Sequence, residues 1–317
     1  MREERRGIVT LGVPDFGVSD FTAPLLASPR VFQAADIRRL WRTLLHALPP
    51  ADVLALPRLP LTIGGMANPL LHLPGCRRST WERFVVPLSG PAGDVLRRLM
   101  RPSTFRDFGK FRRRLERKGE VKFVVASTPD EVRQIFAALL EQRRIRFAEI
   151  GRVNLLAEPD VASFYGAAAI EGLSTGAVRL LGLSVDGEWI GTAYGLVHGG
   201  SFALVMQTMV SDPEWRKCSP GILVTAQTLE WAAAQGLSEF DFTYSFHAYK
   251  EEFGAVREDL FELIVPLTVR GRLRVAADVF WHRSRSMTLH ALQRRPRLYG
   301  GLRAAWRRLR HRPTSSA

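Results

Sequence analysis

Cysteine is nearly absent from this 317-residue chain: Cys76 and Cys218 are the only two. Two thiols so far apart offer no disulfide framework and suit a reduced compartment. No apolar run approaches the roughly 18–20 residues that a membrane-spanning helix needs. The opening residues Met1-Arg2-Glu3-Glu4-Arg5-Arg6 are not followed by the hydrophobic segment of a signal peptide, so a cytoplasmic protein is expected. The seven histidines are scattered, and no His or Cys pair has metal-ligand spacing; no metal site is expected. Serine acyl-enzyme chemistry is not expected either.

What is present is apolar residue and arginine. A hydrophobic content of 46% supports real cores, and the length allows two modest domains. The net charge of +14 is unevenly spread: Leu267–Ala317 holds thirteen arginines and one acid, Asp278, which leaves the body nearly neutral. Leu298, Leu302, Trp306 and Leu309 recur at helical spacing among Arg303, Arg307, Arg308 and Arg310. That pattern fits a solvated arginine-rich tail or a basic amphipathic helix lying on an anionic membrane surface. Nucleic acid would use the same charges, but no reading motif accompanies them.

Along the first hundred residues, Gly7–Gly12, Val53–Leu56 and Trp81–Leu88 read as strands, and Gln33–Ala47 and Ala92–Met100 as helices. Pro49-Pro50, Pro57, Pro60 and Gly64-Gly65 are expected to break the segments between. These strands are too few for a sheet of their own. Ser103–Lys118 reads as a basic helix with Ser103 as N-cap and Phe105, Phe108, Phe111 and Leu115 as its apolar stripe. Its basic face is either simply solvated or a positive wall beside a site for an anion.

Beyond it come a strand at Val121–Ala126, a helix from Thr128 to Ile150, and another from Pro159 to Leu173. Ala177–Val185, Glu188–His198 and Ser201–Met209 then form a meander. Asp186-Gly187 and Gly199-Gly200 supply the positive φ that tight hairpin turns require. Trp215–Gly221 is a basic loop directly before the helix Ile222–Ala234, and a loop of this kind at a helix N-terminus favours an anion. A strand at Glu239–Thr243, a short helix near His247–Phe253 and a strand at Leu260–Leu267 close the order β-α-α-β-β-β-α-β-α-β.

This order resembles the GNAT acetyltransferase fold, a mixed α/β architecture. Four groups of residues carry a closer resemblance to the CelD-like, or BioF2-like, acetyltransferase family. They are Phe111-Arg112-Arg113-Arg114-Leu115; Leu140–Phe147; Ser211–Gly221; and Phe240-Asp241-Phe242 with Tyr249-Lys250 and Phe253-Gly254. The resemblance implies three parts: a partial N-terminal GNAT-like lobe at 1–102, an acyltransferase domain at 103–267, and a basic helical tail at 268–317. It implies acetyl-CoA or another acyl-CoA as co-substrate and an amine or hydroxyl acceptor, as in polysaccharide or lipid biosynthesis. The pyrophosphate would sit over Ser219, Pro220 and Gly221 with Arg216 and Lys217 beside it. The pantetheine arm would follow the strand that ends at Met209 and Val210. The family loop has two glycines where this chain has only Gly221.

For proton transfer the candidates are Asp241, His247, Tyr249 and Lys250, the last two matching a Tyr-Lys pair that the family places beside the acceptor. Asp241 reads equally well as a surface acid paired with Lys250, and His247 as a loop residue. Two other readings stay open. One is a FemX-like aminoacyl transferase that takes aminoacyl-tRNA along the basic Ser103–Lys118 helix; the other is a non-catalytic scaffold docked on a membrane.

Overall fold

The computed structural model describes residues 1–279 apart from 6, 14, 16, 17, 27–31 and 245. The amphipathic pattern at Leu298–Leu309 lies outside the described residues. In chain order the elements are β1 (Arg2–Arg5), β2 (Ile8–Leu11), α1 (Ala34–Ala47), β3 (Val53–Pro60), β4 (Thr62–Ile63), β5 (Met66–Ala67), β6 (Cys76–Pro87), α2 (Val95–Leu99) and α3 (Pro102–Glu116). Then follow β7 (Val121–Val125), α4 (Pro129–Ile150), α5 (Pro159–Thr175), β8 (Val178–Val185), β9 (Glu188–His198), β10 (Ser201–Met209), α6 (Pro213–Arg216), α7 (Pro220–Ala234), β11 (Glu239–Tyr244), α8 (Ala248–Glu252) and β12 (Val256–Pro266).

Ten strands form one mixed sheet in the order β1-β2-β3-β12-β6-β11-β10-β9-β8-β7. The early strands therefore join the main sheet, and β6 is inserted between β11 and β12. Helices cover both faces, which is why Val178–Val185 is apolar almost throughout rather than alternating. On one face Leu181, Leu183, Phe202 and Phe240 pack with α2, α3 and α7; on the other Leu180, Tyr194 and Met206 pack under α4 and α5. A third cluster joins α1 through Ile37 and Trp41 to Leu54 and Leu263.

Local chemistry explains the boundaries. Thr128 and Glu131 form a reciprocal capping box at the start of α4, and Gly151 ends that helix in the left-handed conformation. The basic helix starts two residues earlier than the Ser103 cap implies, because Pro102 occupies its first position and Arg101 is its N-cap. Pro57 and Pro60 do not break β3. Its pairing with β12 shifts between Phe261 and Leu263, an irregularity that absorbs Pro57, while Pro60 is the strand's last residue, opposite Leu260. The strand β1 and the hairpin β4–β5 have no counterpart in the pattern reading.

The pentapeptide Gly172-Leu173-Ser174-Thr175-Gly176 has the spacing of a nucleophile elbow, yet it leads out of a helix into a strand, the reverse of that motif. Ser174 Oγ donates to Glu171 O at 3.2 Å, so it acts as a helix-end hydroxyl.

One glycine in the meander is fixed by packing. A Cβ on Gly195 would overlap the ring of Phe202, which is fully buried and packs against Phe240 and Trp231. Gly195→Ala is expected to cost about 1–3 kcal/mol by overpacking, read as a lower midpoint in thermal or urea unfolding.

Candidate active site

The sheet opens at one place. β10 and β11 run parallel but pair only over Ser201–Ala203 and Glu239–Asp241. From Leu204 and Phe242 onward the two strands diverge, and the space between them is a cleft of about 820 Å³. Both strands carry an irregularity where they part. Val205 is an extra residue in β10 against β9. On β11, Phe242 and Thr243 occupy the interval opposite Phe84, between the pairs Asp241–Val85 and Tyr244–Arg83. Such bulges bend a strand and re-aim its side chains. Beyond Ala203, the edge of β10 that faces away from β9 has no strand partner, so its backbone groups can meet an extended ligand.

The N-terminus of α7 closes one end of the cleft. Ser219 takes a left-handed conformation (φ 48°), Pro220 begins the helix, and Gly221 lies against Met209 so closely that a Cβ would stand 2.9 Å from its sulfur. Gln207 Nε2 donates to Gly221 O at 2.6 Å and fixes the helix on β10. The loop's amides mostly turn inward: those of Arg216, Cys218 and Ser219 bond Asp212, Trp215 and Arg216 carbonyls, and those of Ile222 and Leu223 bond Ser219 O. Among the described residues, the Gly221 N–H at the start of α7 has no such partner. The positive character at this end therefore rests on the α7 dipole and on side chains. Arg143, Arg146, Arg152 and Arg216 all line the cleft, with Arg146 and Arg216 sharing Glu149.

Of the cofactor residues expected from sequence, Met209, Val210, Arg216, Ser219, Pro220 and Gly221 all line the cleft. Lys217 does not: its ammonium pairs with Glu214 and its carbonyl accepts from Arg114.

Of the proton-transfer candidates, His247, Tyr249 and Lys250 line the cleft on the β11 side. Lys250 is 3% exposed; its Nζ donates to Phe242 O at 2.8 Å and Tyr244 O at 3.2 Å and lies 5.1 Å from the Phe84 ring centre. Burial brings its pKa down to about 8, against the pull of Asp241 and Asp20. Tyr249 is pushed up to about 12 by burial, and His247 is lowered by burial and then by the nearby Lys250 and Arg152 charges. Asp241 departs from expectation. It lies beneath the cleft, 3% exposed, with Oδ2 accepting from Arg83 Nε at 2.7 Å and Oδ1 from the Thr243 N–H at 2.7 Å. Arg83 also pairs with Glu239 and Glu258, so this is a buried structural hub, and its partner is an arginine 158 positions away rather than Lys250.

The structure adds Asp20, Arg143 and Thr243 to the site. Asp20 comes from the segment between β2 and α1 and also lines the cleft. No local pattern marks it, because its neighbours come from β3, β11, α5 and α8. Arg143 lies in the Leu140–Phe147 run already noted. It is half-buried, held by Asn154 Oδ1 at 3.0 Å and stacked on Phe147, and burial lowers its pKa.

Residues 102–251 match the family described as acetyltransferase (GNAT) domain. The structure of FemX is similar over 83% of each chain at 10% identity, with a TM-score of 0.54. The C-terminal domain of a putative lysylphosphatidylglycerol synthetase from Agrobacterium fabrum is similar over 76% of each chain (14% identity, TM-score 0.49). A GCN5-related N-acetyltransferase from Kribbella flavida is similar over 76% of this chain and 80% of its own (14% identity, TM-score 0.40). No curated protein sequence matches. The protein thus has the mixed α/β fold of the GNAT acyl-CoA N-acetyltransferases, and its cleft lies within the matched domain and the segments that cover it.

Proposed function

We propose that this protein is an acyltransferase that moves an acetyl or longer acyl group from CoA directly to an amine or hydroxyl, of the CelD/BioF2-like kind. The observation that carries this reading is the divergence of β10 from β11, which leaves a strand edge open along a cleft that ends at a helix N-terminus. An acyl-CoA suits these parts: the amide-bearing arm runs along Leu204–Met209, and the pyrophosphate meets α7, the Gly221 N–H and Arg216. The acyl carbonyl then lies near the point of divergence, and the positive charge of Lys250 offsets the charge that develops on its oxygen. No covalent enzyme intermediate is needed.

A second reading has a specific observation behind it. The inward-turned amides give a pyrophosphate fewer donors than a two-glycine loop, and the fold extends over most of FemX. In that reading the donor is an aminoacyl-tRNA and the four cleft arginines meet its backbone.

Titration calorimetry with acetyl-CoA and longer acyl-CoAs, beside a gel-shift with bulk tRNA, separates the two. We expect acyl-CoA heat in the wild type, about tenfold weaker binding in Arg216→Ala, and loss of binding in Gly221→Val, whose side chain fills the turn facing Met209. Tight, salt-sensitive tRNA binding with indifference to CoA selects the second reading; binding of neither sinks both.

A further inference from the structure

Three features of the cleft point to one residue that lies outside the matched domain. First, the segment around Asp20 is tied across the cleft. Arg58 donates from Nε to Asp20 O at 2.8 Å and from Nη2 to Ser19 O at 2.6 Å, Thr22 N–H donates to Arg58 O at 3.1 Å, and the Arg58 guanidinium lies 4.7 Å from the Tyr244 ring centre. Second, backbone strain is concentrated here. Among the described residues four that are not glycine have positive φ: Arg58, Asp186, Ser219 and Thr243. Asp186 serves a hairpin turn, whereas Ser219 and Thr243 line the cleft and Arg58 holds the segment. A β-branched residue at φ 59° is a true outlier, and such strain persists where surrounding structure imposes it, often at functional sites. Third, strained Thr243 lines the same cleft as Asp20, and its hydroxyl favours the ionised form of the Asp20 carboxyl. The chain thus bends β11 and constrains β3 around one carboxyl group.

We infer that Asp20 is the catalytic proton acceptor for the incoming nucleophile, delivered into the acyltransferase cleft by the N-terminal segment. This rests on the acyl-transfer reading above. The acceptor's nitrogen or oxygen forms a bond to the acyl carbon, and the bond from that carbon to the donor's sulfur (or ester oxygen) breaks. The nucleophile's proton passes to an Asp20 carboxylate oxygen, which returns it to the leaving thiolate or alkoxide.

The surroundings suit the role. Asp20 faces Arg58 from β3, Thr243 and Asp241 from β11, Lys250 from α8 and Tyr165 from α5. Burial raises its pKa to about 6; Arg58, the Thr243 hydroxyl and Lys250 oppose the rise, and Asp241 adds to it. A carboxyl group titrating there is a stronger base than an ordinary aspartate and is still mostly ionised at neutral pH. Because the basic form is the working one, activity should rise with pH through about 6.

The test uses the full chain with acetyl-CoA or bulk aminoacyl-tRNA as donor and a set of primary amines and sugars as acceptors, followed by release of thiol or deacylated tRNA. In Asp20→Asn, kcat should fall about 10²–10⁴-fold, with donor KM within about twofold of wild type and the acidic limb near pH 6 gone. Asp20→Glu should restore part of the rate and the limb. Thr243→Ala should keep the limb but move it to higher pH, since the Thr243 hydroxyl lowers the Asp20 pKa. An Asp20→Asn chain that keeps both kcat and the limb overturns the inference, as does one whose loss tracks a lowered melting temperature or a raised donor KM. A wild type inert with every donor and acceptor overturns the acyl-transfer reading itself, and Asp20's role with it.

Discussion

Lys250→Met is expected to reduce acyl transfer by about 10²–10³-fold, the cost of removing one charged stabiliser from a developing oxyanion. It should also lower stability. In the wild type the buried ammonium serves the carbonyls of Phe242 and Tyr244, which lie at the point where β11 leaves β10. Methionine fills most of the volume but donates nothing, so two carbonyls lose a donor, at about 1–3 kcal/mol each where no water reaches them. Single-turnover transfer, measured below the melting temperature of both proteins, separates lost chemistry from lost fold.

The pH dependence gives an independent check. Burial lowers the folded-state pKa of Lys250 from 10.5 to about 8. The charge is therefore present below about pH 8, and transfer should decline above it. With an Asp20 limb near 6, the profile should be bell-shaped. The stability sign is opposite: a base whose pKa is lower when folded makes the folded state gain as pH rises from about 8 through 10.5. Lys250→Arg should lose the alkaline limb in rate. A Lys250→Met chain with wild-type rate and an unchanged alkaline limb would remove Lys250 from the site.

Arg83→Met should be strongly destabilising, at about 3–5 kcal/mol, because it leaves Asp241 buried without its cation. The Asp241 side chain is 4% exposed and the Arg83 side chain 17%, so solvent screens this pair little. Glu239 and Glu258, both more exposed, would repel Asp241 and each other once the guanidinium is gone. A fall in melting temperature on the order of 5–10 °C is expected. Burial already raises the Asp241 pKa in the wild type, with Arg83 opposing. Removing Arg83 should raise it further, and an acid with a raised folded-state pKa loses the folded state stability as pH rises through that value. The variant should therefore be closest to wild type in mild acid and fall away toward neutral pH. Asp241→Asn in the same background should recover much of the loss; no recovery would show that the hub is not where the energy resides.

Those two residues also show which parts of the site a sequence makes legible. Lys250 stands in a short run with Tyr249, and that run lines the cleft on one side while Arg216 and Ser219–Gly221 of the basic loop line it on the other. Asp241 was visible as an acid at a strand end, but its role depends on Arg83, which enters the sheet on β6 from the other end of the chain. Asp20 was not visible at all: an isolated acid between a strand and a helix has no pattern, and its environment is assembled from elements up to 230 positions away. Lys217 lies off the cleft for a simpler reason. In the four-residue α6 and its cap, Arg216 is directed to the cleft and its neighbour toward Glu214.

Neighbouring residues set the local order: the meander with its Asp-Gly and Gly-Gly turns, the capped helix α4, the basic loop before α7, and hence the mixed α/β class. These depend on φ preferences, capping and periodicity, which act over a few residues. Long-range packing makes the early strands join the same sheet, parts β10 and β11 after three residue pairs, and brings Asp20, Thr243 and Lys250 together there. Strand order and burial are set by which apolar faces fit together across the whole chain, and the pKa of a carboxyl group follows from that burial.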